Sequence, residues 1–373
     1  MKKENKTREP RRIVLILGNG FDLDLGLKTS YKDFWESDFC PRDYPAPLIR
    51  HLNNRWDGDL DAVRWYDLEN ELSAYAISGD KTDVITEDER EYLATNTDCN
   101  LTNTHVYLGE PEQFSSLQKK GFIEIRGILE RASAPYREQL MRSVVWRDHE
   151  ALKLIKEKLC SYLSFVSRRQ VINENSVALN VLLAANCARE AGDILRIYSF
   201  NYTQPPENHG NKIFYVHGNC QNGRIIIGTR DSSELDKNYD FLQKSFDPHF
   251  SPPAIVSDLS DADDVIIFGH SIGDNDSQYF KAFFKQQVDP AHHREKSITI
   301  FTWDDDSEMD IKRSLQKMTD YNLSTLCSQN HVEIIKTSNI GEEAPKLRWF
   351  FSNHMIDKGQ LTVTLNQIFE GKK

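Results

Sequence analysis

The chain has no pair of cysteines at C-x-x-C spacing. Its six cysteines, Cys40, Cys99, Cys160, Cys187, Cys220 and Cys327, are scattered through 373 residues. That points to reduced thiols and argues against a zinc ribbon or a disulfide framework. The pair His292-His293 has no ligand set nearby in sequence and reads as a surface loop, so no metal is expected. No apolar run approaches the ~20 residues a membrane helix needs. The basic stretch Lys2–Arg12 meets only a short apolar run, and no small-residue cleavage site follows. The expectation is a cytoplasmic protein with no membrane partner. Positive charge is also scarce: 46 Lys and Arg stand against 57 Asp and Glu, for a net charge of −11. Nothing broadly neutralises phosphates, so general nucleic-acid binding is not expected. The basic N-terminal stretch reads as a solubilising leader. Internal repeats and low-complexity tracts are absent as well.

What is present begins at Ile13-Val14-Leu15-Ile16-Leu17-Gly18-Asn19-Gly20-Phe21-Asp22. A fully apolar run ending in two glycines is the pattern of a buried parallel strand turning into a helix. Backbone N–H groups and the positive end of the helix dipole then face a phosphate. Gly18, Asn19, Gly20, Phe21 and Asp22 are therefore candidate nucleotide-binding residues. A full dinucleotide fingerprint would carry a third glycine where this chain has Leu23. A tight turn with no ligand is the competing reading.

Further strand-like runs fall at 194–200, 213–216, 224–227, 265–268, 298–303 and 332–335. Most are continuously apolar, as suits strands covered on both faces. Residues 31–190 instead carry helical patterns, at 65–75, 122–131, 149–168 and 177–190. In one of them Leu152, Ile155, Leu159, Leu163 and Val166 form a single apolar stripe, read as helix packing. A polar stretch at 77–120 lies between. The fold expected is α/β: a Rossmann-like, mostly parallel sheet built from 1–30 and 191–373, interrupted after its first strand by a helical insertion at 31–190.

Three later segments each follow an expected strand, and so belong at the same carboxyl edge of the sheet. In Ser199-Phe200-Asn201-Tyr202-Thr203, Asn201 offers an uncharged amide that can hold a ribose hydroxyl or a water. In Tyr215-Val216-His217-Gly218-Asn219, His217 has the chemistry of a general base. In Gly269-His270-Ser271-Ile272-Gly273, small residues and Ser271 can approach a phosphate, and Asp276 is placed to cap the helix that follows. Each also has a plainer reading, as a turn-forming Asn, a structural His and a tight turn. The third segment fits G-x-S-x-G, with Asp304 and His331 following in the order Ser, Asp, His, so a serine hydrolase using Ser271 is a rival. Against it, Gly273-Asp274-Asn275 breaks the helix expected after the serine, and His331 precedes a strand.

Together these segments resemble the AbiH family of bacterial abortive-infection proteins. The resemblance runs through Ile16–Asp22, Leu27–Phe34, Trp65–Glu69, Phe200–Thr203, Val216–Gly218 and Gly269–Gly273. It implies phage defence, in which an infected cell stops growing or dies before phage release, in response to a trigger the sequence does not identify. The same order is also similar to a distant sirtuin-like fold, which implies NAD as ligand or substrate. On that resemblance Gly18, Gly20, Gly269, His270 and Ser271 lie at the phosphates. Asn201 holds the nicotinamide ribose or the attacking water, His217 is the base, and Asp22 meets a ribose. Thr203 stands where sirtuin-like proteins carry Asp, and the zinc-binding cysteines are missing, which points away from deacylation. The implied reaction is hydrolysis of NAD at the nicotinamide–ribose bond; binding of NAD or ADP-ribose without turnover, as a sensor, is the alternative. A silent resting state requires a gate, and the insertion is the candidate for gating or for contacts in a homo-oligomer.

Overall fold

A computed structural model describes residues 9–56, 68–77, 134–206, 210–231, 234–251, 253–355 and 357–370, with side chains from residue 144 onward in the helix that opens at Ala134. The described chain divides into two compact units. The first comprises residues up to Ser30, Leu163–Ile225 and Ser251 onward; the second comprises Tyr31–Tyr162 and Ile226–Phe250. The second unit opens at Tyr31, as the expected 31–190 insertion does, but its first segment closes at Tyr162 and not at 190. Residues 163–190 join the sheet's unit because helix Val177–Glu190 packs on the second strand. Residues 226–250 join the helical unit instead.

The first unit is an α/β structure around a six-stranded, wholly parallel sheet. Its strands are β1 (Arg12–Leu17), β2 (Ile194–Ser199), β3 (Ile213–Tyr215), β6 (Asp264–Phe268), β7 (Ser297–Thr302) and β8 (His331–Lys336), in the order β3-β2-β1-β6-β7-β8. A short separate hairpin pairs β4 (Gly218–Asn219) with β5 (Arg224–Ile225). Counted over the parallel strands alone, the order is 3-2-1-4-5-6. It reverses at β1, and open α/β sheets bind ligands beyond the carboxyl ends of the strands at such a switch point.

Continuous apolarity explains the middle of the sheet. Ile13 to Leu17 and Val265 to Phe268 are all buried, as strands with covered faces require. Phe268 and Phe301 stack at 5.0 Å across the β6–β7 register. The run at 224–227, expected as another strand of the main sheet, enters the hairpin instead. Gly218 permits this: at φ +75 it pairs so closely with the returning strand, beyond the turn at 220–223, that a Cβ there would lie 2.0 Å from Arg224 O.

In the second unit α2 (Tyr31–Trp35), α3 (Pro47–Trp56) and α4 (Leu68–Ile77) accompany the long helix Ala134–Arg169. The stripe Leu152, Ile155, Leu159, Leu163 and Val166 along that helix is buried. The expected helices at 65–75 and 122–131 lie partly and wholly outside the described residues, as does the polar stretch beyond Ile77. Asp148 is the polar hub of this unit. Its buried carboxylate accepts hydrogen bonds from Tyr75 Oη at 2.6 Å, Tyr239 Oη at 2.8 Å and the Leu48 N–H at 2.8 Å. Burial still raises its pKa to about 6. Among the described residues no helix is long and apolar enough to cross a membrane.

Candidate functional site

The site builds outward from the turn after β1. Helix Asn19–Asp24 starts directly behind Gly18, and the turn 18–20 lies backbone to backbone against residues 269–270. A Cβ on Gly18 would come within 2.5 Å of His270 Cα, and one on Gly20 within 2.6 Å of Gly269 Cα. In return, a Cβ on Gly269, which sits at φ +64, would come within 2.4 Å of Gly20 C. The glycines at these three positions are therefore explained by contact between two loops of the same chain.

The Gly18 N–H donates to Phe268 O, the Gly20 N–H to Gly269 O and the Phe21 N–H to Gly18 O, each at 2.9 Å. These three groups are engaged inside the protein. The Phe21 side chain is also in the core, edge-on to Phe268 at 5.7 Å. The Asn19 carbonyl oxygen accepts from the Thr29 hydroxyl at 2.8 Å.

The polar residues do converge. Asn201, just past β2, donates from Nδ2 to Gly18 O at 3.0 Å, and its amide also hydrogen-bonds Asp22. Asp22 is buried and further accepts from Thr203 Oγ1. Its neighbours are neutral donors, so desolvation prevails and lifts its pKa to about 6, although Thr203, Asn201 and Thr29 favour the ionised form.

On the same edge His217 and His270 are both buried, at 4% and 7% exposure, and one carboxylate joins them. His217 Nε2 lies 2.9 Å from Asp276 Oδ1, and His270 Nε2 lies 3.3 Å from Asp276 Oδ2. The Phe200 ring packs against both imidazoles, with centroids at 5.4 and 4.2 Å. Asp276 was expected to cap a helix at 278–288. It does occupy the N-cap position of Ser277–Gln286, yet its side chain makes no capping bond and reaches back to the histidines. Sequence reasoning missed it because any of Asp274, Asn275 and Asp276 suits a cap.

Ile272 completes the loop. It is fully buried at φ +51, a conformation that a β-branched residue adopts only at a cost. Its side chain is held in the apolar core with Phe280 and Phe283. Its N–H donates to His270 Nδ1 at 2.9 Å.

The hydrolase constellation does not assemble. Ser271 is exposed beyond the carboxyl end of β6. Asp304 caps helix Asp305–Met318, accepting from the Ser307 N–H at 2.9 Å. His331 opens β8 at the amino edge of the sheet, its ring tilted against Trp349 with centroids at 4.1 Å. At ~3.3 Å per residue, a six-residue strand separates it from Ser271 by far more than a hydrogen bond. The pair His292-His293 lies in a turn, with His292 bonded to Asp289 at 2.7 Å and His293 to Gln329 O at 2.9 Å.

A search of curated proteins finds no match to this chain. A family model described as bacteriophage abortive infection AbiH matches residues 14–301, a span holding both glycine turns, Asn201, His217 and Asp276. That span is more than half of the sequence, and the chain belongs to the AbiH family of bacteriophage abortive infection.

Proposed function

We propose that this abortive-infection protein is an effector that hydrolyses NAD at the nicotinamide–ribose bond, on a Rossmann-like and distantly sirtuin-like core. One observation carries the reading: beyond the carboxyl ends of the parallel strands, Asn201 bonds Gly18 and Asp22, while His217 shares the Asp276 carboxylate with His270, whose backbone lies against Gly18. Open α/β sheets bind nucleotides there.

The donor set suits a sugar better than it suits a pyrophosphate. The leaving nicotinamide is already a pyridinium cation, so bond cleavage needs no strong acid, and its transition state resembles an oxocarbenium ion. A protein contributes by holding the ribose and polarising one hydroxyl or water. Both tasks are within reach of the residues present. Asn201 directs its amide N–H groups at Gly18 O and Asp22, which assigns its carbonyl oxygen to the ligand. His217 is the base, worth roughly 10²–10⁴-fold in rate. At the pyrophosphate end the fit is poorer, because the N–H groups of residues 18, 20 and 21 are engaged. Phosphate contact is therefore assigned to the exposed Ser271 hydroxyl.

The test is release of nicotinamide from NAD by the purified chain, together with nucleotide mass spectrometry of infected cells. Wild type is expected to deplete NAD, and His217→Ala is expected to leave it intact. Undiminished NAD loss in His217→Ala refutes the assignment. Thermal stabilisation by NAD or ADP-ribose without turnover, in resting and infected samples alike, would identify a sensor. Asn201→Ala is a less selective probe, since it also removes the bonds to Gly18 and Asp22.

A further inference from the structure

We propose that Asp276 is the positioning residue for His217, with His270 as a neutral second donor that fixes the carboxylate. The inference rests on the reading of His217 as the base.

The geometry dictates the protons. A backbone N–H only donates, so His270 Nδ1, which receives the Ile272 N–H at 2.9 Å, is the unprotonated nitrogen of that ring. The single His270 proton is on Nε2 and points at Asp276 Oδ2, 3.3 Å away. His217 faces the other oxygen of the same carboxylate, with Nε2 2.9 Å from Oδ1. The carboxylate orients the His217 ring, holds a proton on Nε2 and stabilises the cation formed when the other nitrogen accepts a proton. A buried carboxylate plays this part behind a catalytic histidine in hydrolytic triads.

The strained peptide at Ile272 gains a purpose on this account. Its positive φ aims the N–H at His270 and sets that ring's tautomer. Phe200, in contact with both imidazoles, keeps them in place from the apolar side.

The experiment uses the full chain labelled with ¹⁵N-histidine, and compares ring tautomers in wild type and Asp276→Asn by NMR alongside NAD turnover. Asn is a good N-cap and close in shape, so the helix is retained. In wild type, His217 and His270 should each show one ordered tautomer with the proton on Nε2. In Asp276→Asn, His217 should lose that order, and kcat should fall ~10²–10⁴-fold with KM changed less than about twofold. A His217 tautomer unchanged in Asp276→Asn overturns the proposal, whatever the activity. Tautomer order lost in the variant of a chain that never consumes NAD supports the positioning role and refutes the reaction. If Asp276→Asn does not fold, His270→Gln gives the same readout: a disordered His217 ring supports the proposal, and an unchanged one overturns it.

Discussion

Gly269 and Gly223 share a backbone conformation, at φ +64 and +62, but not an environment. Around Gly223 nothing lies within 4 Å of a built Cβ, whereas at Gly269 the nearest atoms are Gly20 C and Cα at 2.4 Å and Phe21 N at 2.5 Å. Alanine at either position incurs the left-handed strain of ~1–2 kcal/mol. Only at Gly269 does it also collide with backbone, and backbone at the start of a buried strand–helix turn cannot swing aside as a side chain can. Overpacking of that kind costs ~1–3 kcal/mol. Gly269→Ala should therefore lose about 1–3 kcal/mol more than Gly223→Ala in urea denaturation followed by tryptophan fluorescence. Gly20→Ala, whose Cβ meets Gly269 Cα at 2.6 Å without a φ problem, should show the collision term by itself. Equal losses in Gly269→Ala and Gly223→Ala would refute the idea that the two loops interlock through their glycines.

Further outcomes concern charge and packing. Burial raises the Asp22 carboxyl from its ordinary 3.8 to about 6, so the folded state holds its proton more tightly. The sign follows: stability from this group is greatest below pH 3.8 and falls as pH rises to about 6, by about 3 kcal/mol at most. Asp22→Asn should flatten that part of the stability–pH curve, and an unaltered slope would contradict the burial argument. Lys244, fully buried, pairs with Glu69 at 2.9 Å, so Glu69→Gln should cost ~3–5 kcal/mol by denaturant titration, more than Lys244→Met with Glu69→Leu together. Phe200→Ala should cost ~3–5 kcal/mol, because the ring touches His217, His270, Tyr279 and Phe280. Ser271 should resist fluorophosphonate labelling, and a covalent adduct at that residue would restore the hydrolase reading.

Legibility in the sequence followed the physics of each element. β1 and β6 were readable to within a residue because a strand buried on both faces has to be continuously apolar, and β7 and β8 were equally readable from their Ile and Val content, although β8 is only half-buried. Helix Val177–Glu190 was readable for a similar reason, with Ser176 before it accepting the Leu179 N–H. Ile225 to Ile227 look like a core strand in composition, yet pairing partners are a tertiary property, and the φ of Gly218 sent the segment elsewhere. The glycine turn was found, but the second loop packed against it was not. Two glycines beside a phosphate and two glycines beside another backbone look the same in one dimension. Asp276 was found as an N-cap but not as a partner of the histidines, because cap preference is local, whereas His217 lies 59 residues away. His217 and Asn201 were accessible because each is a polar residue directly after an apolar run, where a parallel sheet exposes its carboxyl edge.

The sheet's threading also sets a clock on synthesis. β1 emerges first, but its neighbours are residues 194–199 on one side and 264–268 on the other. At roughly 5–20 residues per second, ribosomes take on the order of 10 s or more to supply either edge. Until residue 276 has been made, the imidazoles lack their carboxylate and the central strand lacks a flank. A lethal activity on this scaffold would thus be denied to every product that stops before residue 276.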